Sequence, residues 1–333
     1  MKHQKGFAPG TSPISATNPD RSTRTVPAFL ALIAVAGLVL LYGPSPDYYD
    51  HRILHAFWAW GHLAFFAVLT LLLLRWRVPQ WQGPVGWWSL GLAVLLGSLA
   101  ILSELIQLGV PGRMAGPDDA LQNLLGIMVG FGLSPHWLAR LPLRWSRLLP
   151  HLALPVVALA ALVPWVALAD TLHGKTRFPL LLSMETELEM TRVSGSEYRR
   201  RVLSTPLADS PLLAARWYPP GSGLGVQHFP GDWRDYEQLH IRIHSDRAVP
   251  VTLRLHDRPH EDMGQPYTDR FNHRLALETG WQTLVIDLEE VSRAPSSRTM
   301  DMARMSQLGL FNLQLDAPVV LHLASIELAG SPE

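Results

Sequence analysis

Cysteine is absent from the 333 residues, so the chain has no disulfide, no thiol nucleophile and no thiolate metal ligand. The formal net charge is zero, which gives no reason to expect a polyanionic partner such as nucleic acid. Charged residues are scarce from about residue 27 to 169 and recur every few positions from about 175. We therefore expect two halves, one apolar and one rich in charged residues. We expect no cofactor.

Five apolar stretches approach the roughly 20 residues that a helix needs to cross a bilayer. They cover residues 26–43, 53–74, 85–108, 119–138 and 151–169, and segments rich in proline and glycine separate them. The alternative, a buried helical core of a soluble protein, fails because the stretches are too long and too continuous. The sequence therefore predicts a transmembrane domain at 26–170 with about five helices in a lipid bilayer.

Lysine and arginine in the short connections predict the orientation of these helices. One side of the predicted bundle carries Lys2, Lys5, Arg21, Arg24, Arg75, Arg77, Arg140, Arg144 and Arg147, and the other carries Arg52 and Arg113. Since the positive side is cytoplasmic, we predict a bacterial inner-membrane protein with its polar 1–25 tail disordered in the cytoplasm. The chain after residue 170 is then extracytoplasmic, in the periplasm. A cleaved signal peptide is the alternative for the first stretch, but Gly43-Pro44-Ser45-Pro46 is a poor cleavage site.

Ionisable side chains in hydrocarbon cost about 2.5–3.5 kcal/mol each, so those inside the spans need a partner or a function. The polar residues of the outer half of the bundle are His55, His62, Glu104, Gln107, Arg113, Asp119 and Asn123. Their spacing places several on common helix faces, so a cluster facing the outer side is geometrically available. Simpler interpretations are an N-cap for Asp118 or Asp119, an interfacial position for His55, and close helix packing at Gly126-x-x-x-Gly130.

The order of these residues resembles the motif of VanZ-like membrane proteins over about residues 30–140. The matching elements are Glu104-x-x-Gln107, Gly112-Arg113, Asp119-x-x-x-Asn123-x-x-Gly126-x-x-x-Gly130 and, upstream, Gly61-His62 followed by aromatic residues. Arg52-x-x-His55 is the alternative match for this upstream histidine. The resemblance implies a helical membrane protein of the cell envelope, in a family whose members are mostly uncharacterised. The fifth span and the long carboxyl-terminal extension depart from the family pattern.

From about residue 178 the apolar period changes to two. Apolar and polar residues alternate in the stretches 239–243, 251–255, 284–288 and 321–323, and turn-like segments separate them. Short alternating strands without long helical patterns predict an all-β sandwich or jelly roll over 178–330.

The landmarks of this region are similar to those of the galactose-binding-like jelly roll found in carbohydrate-binding modules. They are Asp232-Trp233-Arg234-Asp235-Tyr236, Leu255-His256-Asp257-Arg258, Arg270-Phe271-Asn272 and Gly280-Trp281-Gln282-Thr283. The resemblance implies binding of a sugar or polysaccharide, although the same fold also serves as a plain interaction module.

One segment of this region has enough donor groups for a metal or a sugar. We take His256, Asp257, His260, Asp269, His273 and Trp233 as ligand-binding candidates and assign no metal. The alternative is a solvated loop between two strands. An outward row of His240, Arg242, His244, Arg254 and His256 forms either a basic face for an anionic glycan or an ordinary exposed sheet face. Trp217, Trp233 and Trp281 stack on sugar rings or pack in the core, and core packing is favoured for at least two of them.

Two hypotheses for function follow. In the favoured one the chain is no enzyme: the bundle anchors a sandwich that binds a glycan, such as an envelope polysaccharide, or another envelope component. In the second, His62, Glu104, Arg113 and Asp119 form an outward-facing catalytic site for a lipid-linked glycan, in which a carboxylate or imidazole moves a proton and Arg113 holds phosphate. A transporter is less favoured, because no internal repeat and no paired broken helices are visible.

Overall fold

The structure is a computed structural model that describes residues 28–29, 31–33, 35–37, 52–77, 85–109, 117–195, 197–202 and 211–330. The chain divides into two compact units, each described here by itself. One contains Met1–Ser45 and Ala59–Ala158, and the other contains Pro46–Trp58 and Leu159–Glu333.

Helices make up the amino-terminal half of the described chain. They are α1 (Arg52–Arg77), α2 (Val85–Gln107), α3 (Pro117–Leu133), α4 (Pro135–Leu138) and α5 (Leu143–Arg177). Among the described residues, three helical stretches are long and apolar enough to cross a membrane: Arg52–Trp76, Gly86–Gln107 and Leu143–Arg177.

The prediction of five spans is therefore not confirmed in its count. The first predicted span, 26–43, lies mostly outside the described residues, and those described within it are helical. The fourth is interrupted, because Pro135 follows α3 and lacks the N–H that would continue it. With 17 residues, α3 is about 26 Å long, somewhat shorter than the hydrocarbon core.

The fifth predicted span, 151–169, proves to be the middle of a longer helix. The helix α5 has 35 residues, or about 52 Å, and it contains Pro150, which directly precedes the predicted span. Pro150 removes one backbone N–H from the helix, but α5 continues past it. Asp118 and Asp119 do not occupy the predicted N-cap position, because α3 already begins at Pro117. Both lie in the first turn of α3, where their negative charge interacts favourably with the helix dipole.

The described residues between Leu180 and Ala329 form eleven strands. They are β1 (Leu180–Leu182), β2 (Val193–Gly195), β3 (Tyr198–Val202), β4 (Pro211–Trp217), β5 (Ser222–Gln227), β6 (Gln238–Ser245), β7 (Val249–Asp257), β8 (Phe271–Leu277), β9 (Gly280–Asp287), β10 (Met305–Asn312) and β11 (Val319–Ala329). Two short helices, α6 (Arg258–Asp262) and α7 (Leu288–Arg293), follow β7 and β9.

The strands form two antiparallel sheets. Sheet one has the order β3-β4-β11-β6-β9, with β1 also paired to β11, and sheet two has the order β2-β5-β10-β7-β8. Among the described strands, the chain crosses from one sheet to the other after every strand except β3 and β7, which are followed by a strand of the same sheet. The predicted sandwich of jelly-roll type is confirmed.

The alternating apolar residues fill the space between the sheets. Leu239, Ile241 and Leu253 are fully buried there, while the residues between them point outward. Trp217 and Trp233 are also fully buried, so the prediction that at least two tryptophans pack in the core is confirmed.

A buried ion cluster, which the sequence analysis did not find, fastens α5 to the sandwich. Asp170 of α5 is fully buried and accepts hydrogen bonds from the Arg192 Nε at 3.0 and 3.1 Å and from the Arg52 Nη1 at 2.8 Å. Arg192 also donates to the Leu181 carbonyl at 2.9 Å. A Cβ at Gly174 would lie 2.8 Å from the Arg192 Nη2, so the guanidinium needs that glycine. The carboxyl-terminal end of α5 and the first strands are therefore one packed structure rather than two parts joined by a linker.

Candidate functional site

Three of the predicted polar residues of the helices meet at one point. His62 of α1, Glu104 of α2 and Asn123 of α3 are all buried. The Asn123 Oδ1 lies 3.0 Å from the His62 Nδ1, and the Asn123 Nδ2 donates to the Glu104 Oε1 at 2.8 Å. We call this the His-Asn-Glu cluster. Its hydrogen bonds offset the cost of placing an imidazole and a carboxyl group inside a helical bundle.

Two glycines bring the helices close enough for this cluster. A Cβ at Gly126 would lie 2.3 Å from the Leu63 carbonyl oxygen, and one at Gly130 would lie 2.5 Å from the Thr70 Cβ. Both follow Asn123 on the same face of α3, so the close contact with α1 holds Asn123 beside His62. The interpretation of Gly-x-x-x-Gly as a packing motif agrees with these contacts.

The other predicted members of the helical cluster have different surroundings. Gln107 is 2 % exposed, and its Nε2 has no hydrogen-bond partner among the described residues. Asp119 lies one turn before Asn123 and His55 lies two turns before His62, and both are partly exposed. Arg113 lies outside the described residues.

The hydrogen-bond pattern assigns roles within the His-Asn-Glu cluster. The Asn123 Nδ2 can only donate, so the Glu104 oxygen accepts, and the Asn123 Oδ1 can then only accept from the His62 Nδ1–H. The neutral imidazole consequently carries its proton on Nδ1 and leaves Nε2 as the basic nitrogen. An amide that orients a histidine in this way is a known device of general-base catalysis.

In the sandwich, the predicted ligand segment is a buried ionic network and not a solvated loop. His256, Asp257, His260, Glu261 and Asp269 are between 0 and 8 % exposed. The His256 Nε2 lies 3.1 Å from the Glu261 Oε1, to which the Ser306 hydroxyl also donates, and the His260 Nδ1 lies 3.2 Å from the Asp269 Oδ2. The alternative of a solvated loop is wrong because α6 folds these groups against β7.

Arg298, which the sequence analysis did not single out, holds this network together. Its guanidinium donates to Asp257 at 2.5 and 2.7 Å and to Asp269 at 2.7 and 2.8 Å. Burial would raise the pKa of Asp257, but the hydrogen bonds from Arg298 and from the backbone N–H groups of Asp301 and His260 hold it below its usual value. Arg298 likewise lowers the pKa of Asp269, whereas burial lowers the pKa of His260.

These contacts leave the predicted ligand residues little access to a ligand. The Trp233 ring is fully buried, and its Nε1 donates to the Pro230 carbonyl at 3.0 Å, so it offers no surface to a sugar. His273 is not part of the network; its ring stacks on Phe271 and lines an open cavity of about 710 Å³, to which Tyr267 and Asn272 also contribute. Within the described ranges, no three His, Asp or Glu side chains converge as a metal cage.

The predicted basic row is divided between the two sheets. His240, Arg242 and His244 belong to β6 of sheet one, whereas Arg254 and His256 belong to β7 of sheet two. The alternation along each strand is confirmed, but the chain crosses to the other sheet between β6 and β7. The five residues therefore do not share a face, and His256 is buried under α6.

An open groove lies on the outer face of sheet two. Its lining comes from β7, β8, β10 and the two loops beside them, and the cavity measures about 290 Å³. The residues that matter here are Thr252, Asn272, Arg274, Phe311, Leu313 and Tyr267. Beside it, Gly225 and Gly309 face each other across β5 and β10, and the side chains of Gln307 and Arg254, which are hydrogen-bonded to each other, lie over them. We call this the outer groove.

The outer groove combines apolar rim residues with hydrogen-bonding groups. Tyr267 is 68 % exposed and Leu313 is 72 % exposed, while Arg270 lies over the Tyr267 ring at 5.1 Å from its centroid. Tyr267 begins the short 3-10 turn Tyr267–Asp269, whose last residue is held by Arg298 and His260. The buried network therefore acts as the support that positions an exposed aromatic ring at the groove.

Comparisons with known proteins give only structural similarity. No protein-family model and no curated protein matches the chain. A family 11 carbohydrate-binding module from Clostridium thermocellum, solved with a β-1,3-1,4-mixed-linked tetrasaccharide, is similar at 13 % identity and a TM-score of 0.36, over 46 % of this chain and 96 % of that one. A carbohydrate-binding module described as CBM28, specific for non-crystalline cellulose, is similar at 7 % identity and a TM-score of 0.32, over 46 % and 93 %.

A third similar structure is an exo-β-agarase, at 14 % identity and a TM-score of 0.38. That match covers 46 % of this chain and 25 % of the agarase, so the chain spans about a quarter of that enzyme.

Proposed function

We propose that this chain is a multi-pass membrane protein of the bacterial envelope whose sandwich lies on the extracytoplasmic side and binds an envelope polysaccharide in the outer groove. The observation that carries the proposal is the groove itself, where an exposed, supported aromatic ring stands next to amide, hydroxyl and guanidinium groups. A sugar ring presents C–H groups on its faces and hydroxyls at its edge. Such a ligand matches an apolar surface with a few convergent polar groups.

The membrane half of the proposal rests on helix length and on charge. Three described helices are long and apolar enough to span, and lysine and arginine are concentrated on one side of the predicted topology. Arg52 at the start of α1 contacts Asp170 near the end of α5, so these two helix ends lie on the same side. A chain that crosses the membrane an even number of times between these two points also ends on the side where it began, so the contact is compatible with the proposed topology. The VanZ-like motif supports this assignment to the envelope as a resemblance only.

The test is retention of the full-length protein, in nanodiscs, on isolated peptidoglycan sacculi and in affinity gels that contain a soluble β-glucan or an anionic polysaccharide. Tyr267→Ala is expected to weaken binding by about tenfold or more, since a stacked aromatic is a typical hot spot. Tyr218→Ala is the matched control, because Tyr218 is also exposed but does not line the groove. Absence of binding to every polymer, or equal losses in the two variants, would reject the proposal.

A second function is favoured by one observation, the His-Asn-Glu cluster. Glu104 and Asn123 orient His62 so that its Nε2 is basic, and the chain would then be a membrane enzyme that uses His62 as general base on a lipid-linked envelope glycan. His62→Gln and Glu104→Gln are expected to lose turnover of a prenyl-diphosphate-linked saccharide while the amount of folded protein in the membrane is kept. If both variants lose protein to the same degree as activity, the cluster is structural.

A further inference from the structure

On the outer face of sheet one, two histidines of neighbouring strands stand directly opposite each other. His322 of β11 pairs with His244 of β6 in the antiparallel register, and the centroids of the two rings are 5.6 Å apart. Residues paired in this way have Cβ atoms about 4.5–5.5 Å apart and extend from the same face of the sheet. The two imidazoles are thus held side by side by the backbone.

The spacing of the rings is close to that of two imidazoles on one metal ion. With Zn–N bonds of about 2.0–2.1 Å and a tetrahedral angle, the ring centroids of such a pair lie about 5 Å apart. A shift of a few tenths of an ångström in the position of each ring closes the difference from the observed centroid separation of 5.6 Å.

The environment of His244 supports a ligand at this place. The His244 Nδ1 is buried and has no hydrogen-bond partner within the part of the chain that the structure describes. The Trp281 ring packs against the other side of the imidazole, with the centroids 5.3 Å apart, and restricts its rotation. A buried imidazole nitrogen without a partner is costly, and coordination to a metal ion would satisfy it.

The charged and basic groups near His244 have partners of their own. Arg242 lies two residues before His244 on the same strand, and its guanidinium is directed at the Trp281 ring, 5.5 Å from the centroid. Glu327 pairs with His240 four residues away along β6, and His240 itself lies 2.9 Å from the Gln238 amide oxygen. The cation of Arg242 is therefore occupied with the indole, and His240 is occupied with Gln238.

We propose that His244 and His322 form a two-histidine site for a divalent transition-metal ion such as Zn²⁺, with the remaining coordination positions open to solvent or to a donor group from outside. Imidazole nitrogen is a ligand that Zn²⁺, Cu²⁺ and Ni²⁺ share. The site is separate from the outer groove, which lies on the other sheet, and it does not depend on polysaccharide binding.

The experiment is Zn²⁺ titration of the full-length protein in nanodiscs, with a tag that contains no histidine, followed by Cu²⁺ electron paramagnetic resonance to count the nitrogen ligands. One ion per chain and two imidazole nitrogens are expected. His244→Gln and His322→Gln are each expected to weaken the affinity for Zn²⁺ by about tenfold or more, because each removes one of only two protein ligands. His240→Gln, on the same strand and face, is the control and keeps wild-type affinity.

Folding is monitored separately by the thermal unfolding midpoint without Zn²⁺, which all three variants are expected to share with the wild type. Zn²⁺ is expected to raise the midpoint of the wild type and of His240→Gln only. The proposal is overturned if no ion binds, if Zn²⁺ binding survives both the His244 and His322 substitutions, or if the loss of His240 weakens binding equally.

Discussion

Arg298→Gln is the substitution that tests the buried network most sharply. The Arg298 side chain is 20 % exposed, and it holds the carboxylates of Asp257 and Asp269, whose side chains are 0 and 4 % exposed. Breaking a buried ion pair from one side typically costs about 3–5 kcal/mol, because the remaining charge is left without a partner. Asp257 keeps two backbone N–H donors, so we expect the lower end, about 3 kcal/mol at pH 7.

The pH dependence of this loss has a definite sign. In the wild type the pKa values of Asp257 and Asp269 are lowered, so their contribution to stability is present above the unfolded value of about 3.9 and is lost as the pH falls below it. Without Arg298, burial favours the protonated carboxyl groups. The difference in the free energy of unfolding between the wild type and the variant is therefore expected to be smaller at about pH 4.5 than at pH 7.

The assay is pulse proteolysis in urea of the full-length protein in nanodiscs, with cleavage sites in the sandwich as the readout. Arg293→Gln is the matched control, because the Arg293–Glu289 pair is exposed on α7 and should contribute little. Affinity for polysaccharide should fall with Arg298→Gln as well, since the network supports Tyr267. Equal stability of Arg298→Gln and the wild type at pH 7, or a deficit that grows toward acid, would refute the reasoning.

Three further changes have expected outcomes. Gly126→Ala places a Cβ 2.3 Å from a backbone oxygen of the facing helix and should cost about 1–3 kcal/mol in a detergent unfolding titration, while Gly91→Ala, with nothing within 4 Å, should be neutral. Because burial lowers the pKa of His260, the unfolded chain binds more protons than the folded chain below about pH 6.5. The urea concentration at the unfolding midpoint of the sandwich should therefore decrease when the pH is lowered from about 7.5 to about 5.5, and this decrease should be smaller in His260→Gln. Arg192→Leu leaves the buried Asp170 with fewer donors and should cost about 3–5 kcal/mol, seen as faster hydrogen exchange at the end of α5; unchanged exchange would contradict the assigned role.

Periodicity predicted the fold class of the sandwich because burial of one strand face requires it. The alternation at Leu239, Ile241 and Ile243 corresponds to a strand with a buried face, and so does the alternation at 251–255. The stretch 284–288 was only partly a strand, since Asp287 caps a helix that begins at Leu288. A short helix at a strand end leaves little trace in a period of two.

Which strands share a sheet, and which loop is covered, depends on long-range contacts that the sequence does not display. The basic row was divided because β6 and β7 lie in different sheets. The segment from His256 to Asp269 is as polar as any exposed loop, and it is buried because Arg298, about 30 residues later, neutralises it. In the helices, the polar residues His62, Glu104 and Asn123 could be recognised as a candidate cluster from the sequence, because apolar residues surround them. Their direct hydrogen bonds could not be predicted, because these depend on the close packing of α3 against α1 at Gly126.

The claim on which the account depends is that the sandwich and the cytoplasmic loops lie on opposite sides of a membrane. The native chain has no cysteine, so single cysteines can be introduced without background. In spheroplasts, a membrane-impermeant maleimide is expected to label Leu313→Cys, at an exposed position of the sandwich, and to label Arg147→Cys only after permeabilisation. Labelling of Arg147→Cys in intact spheroplasts together with protection of Leu313→Cys would contradict the account.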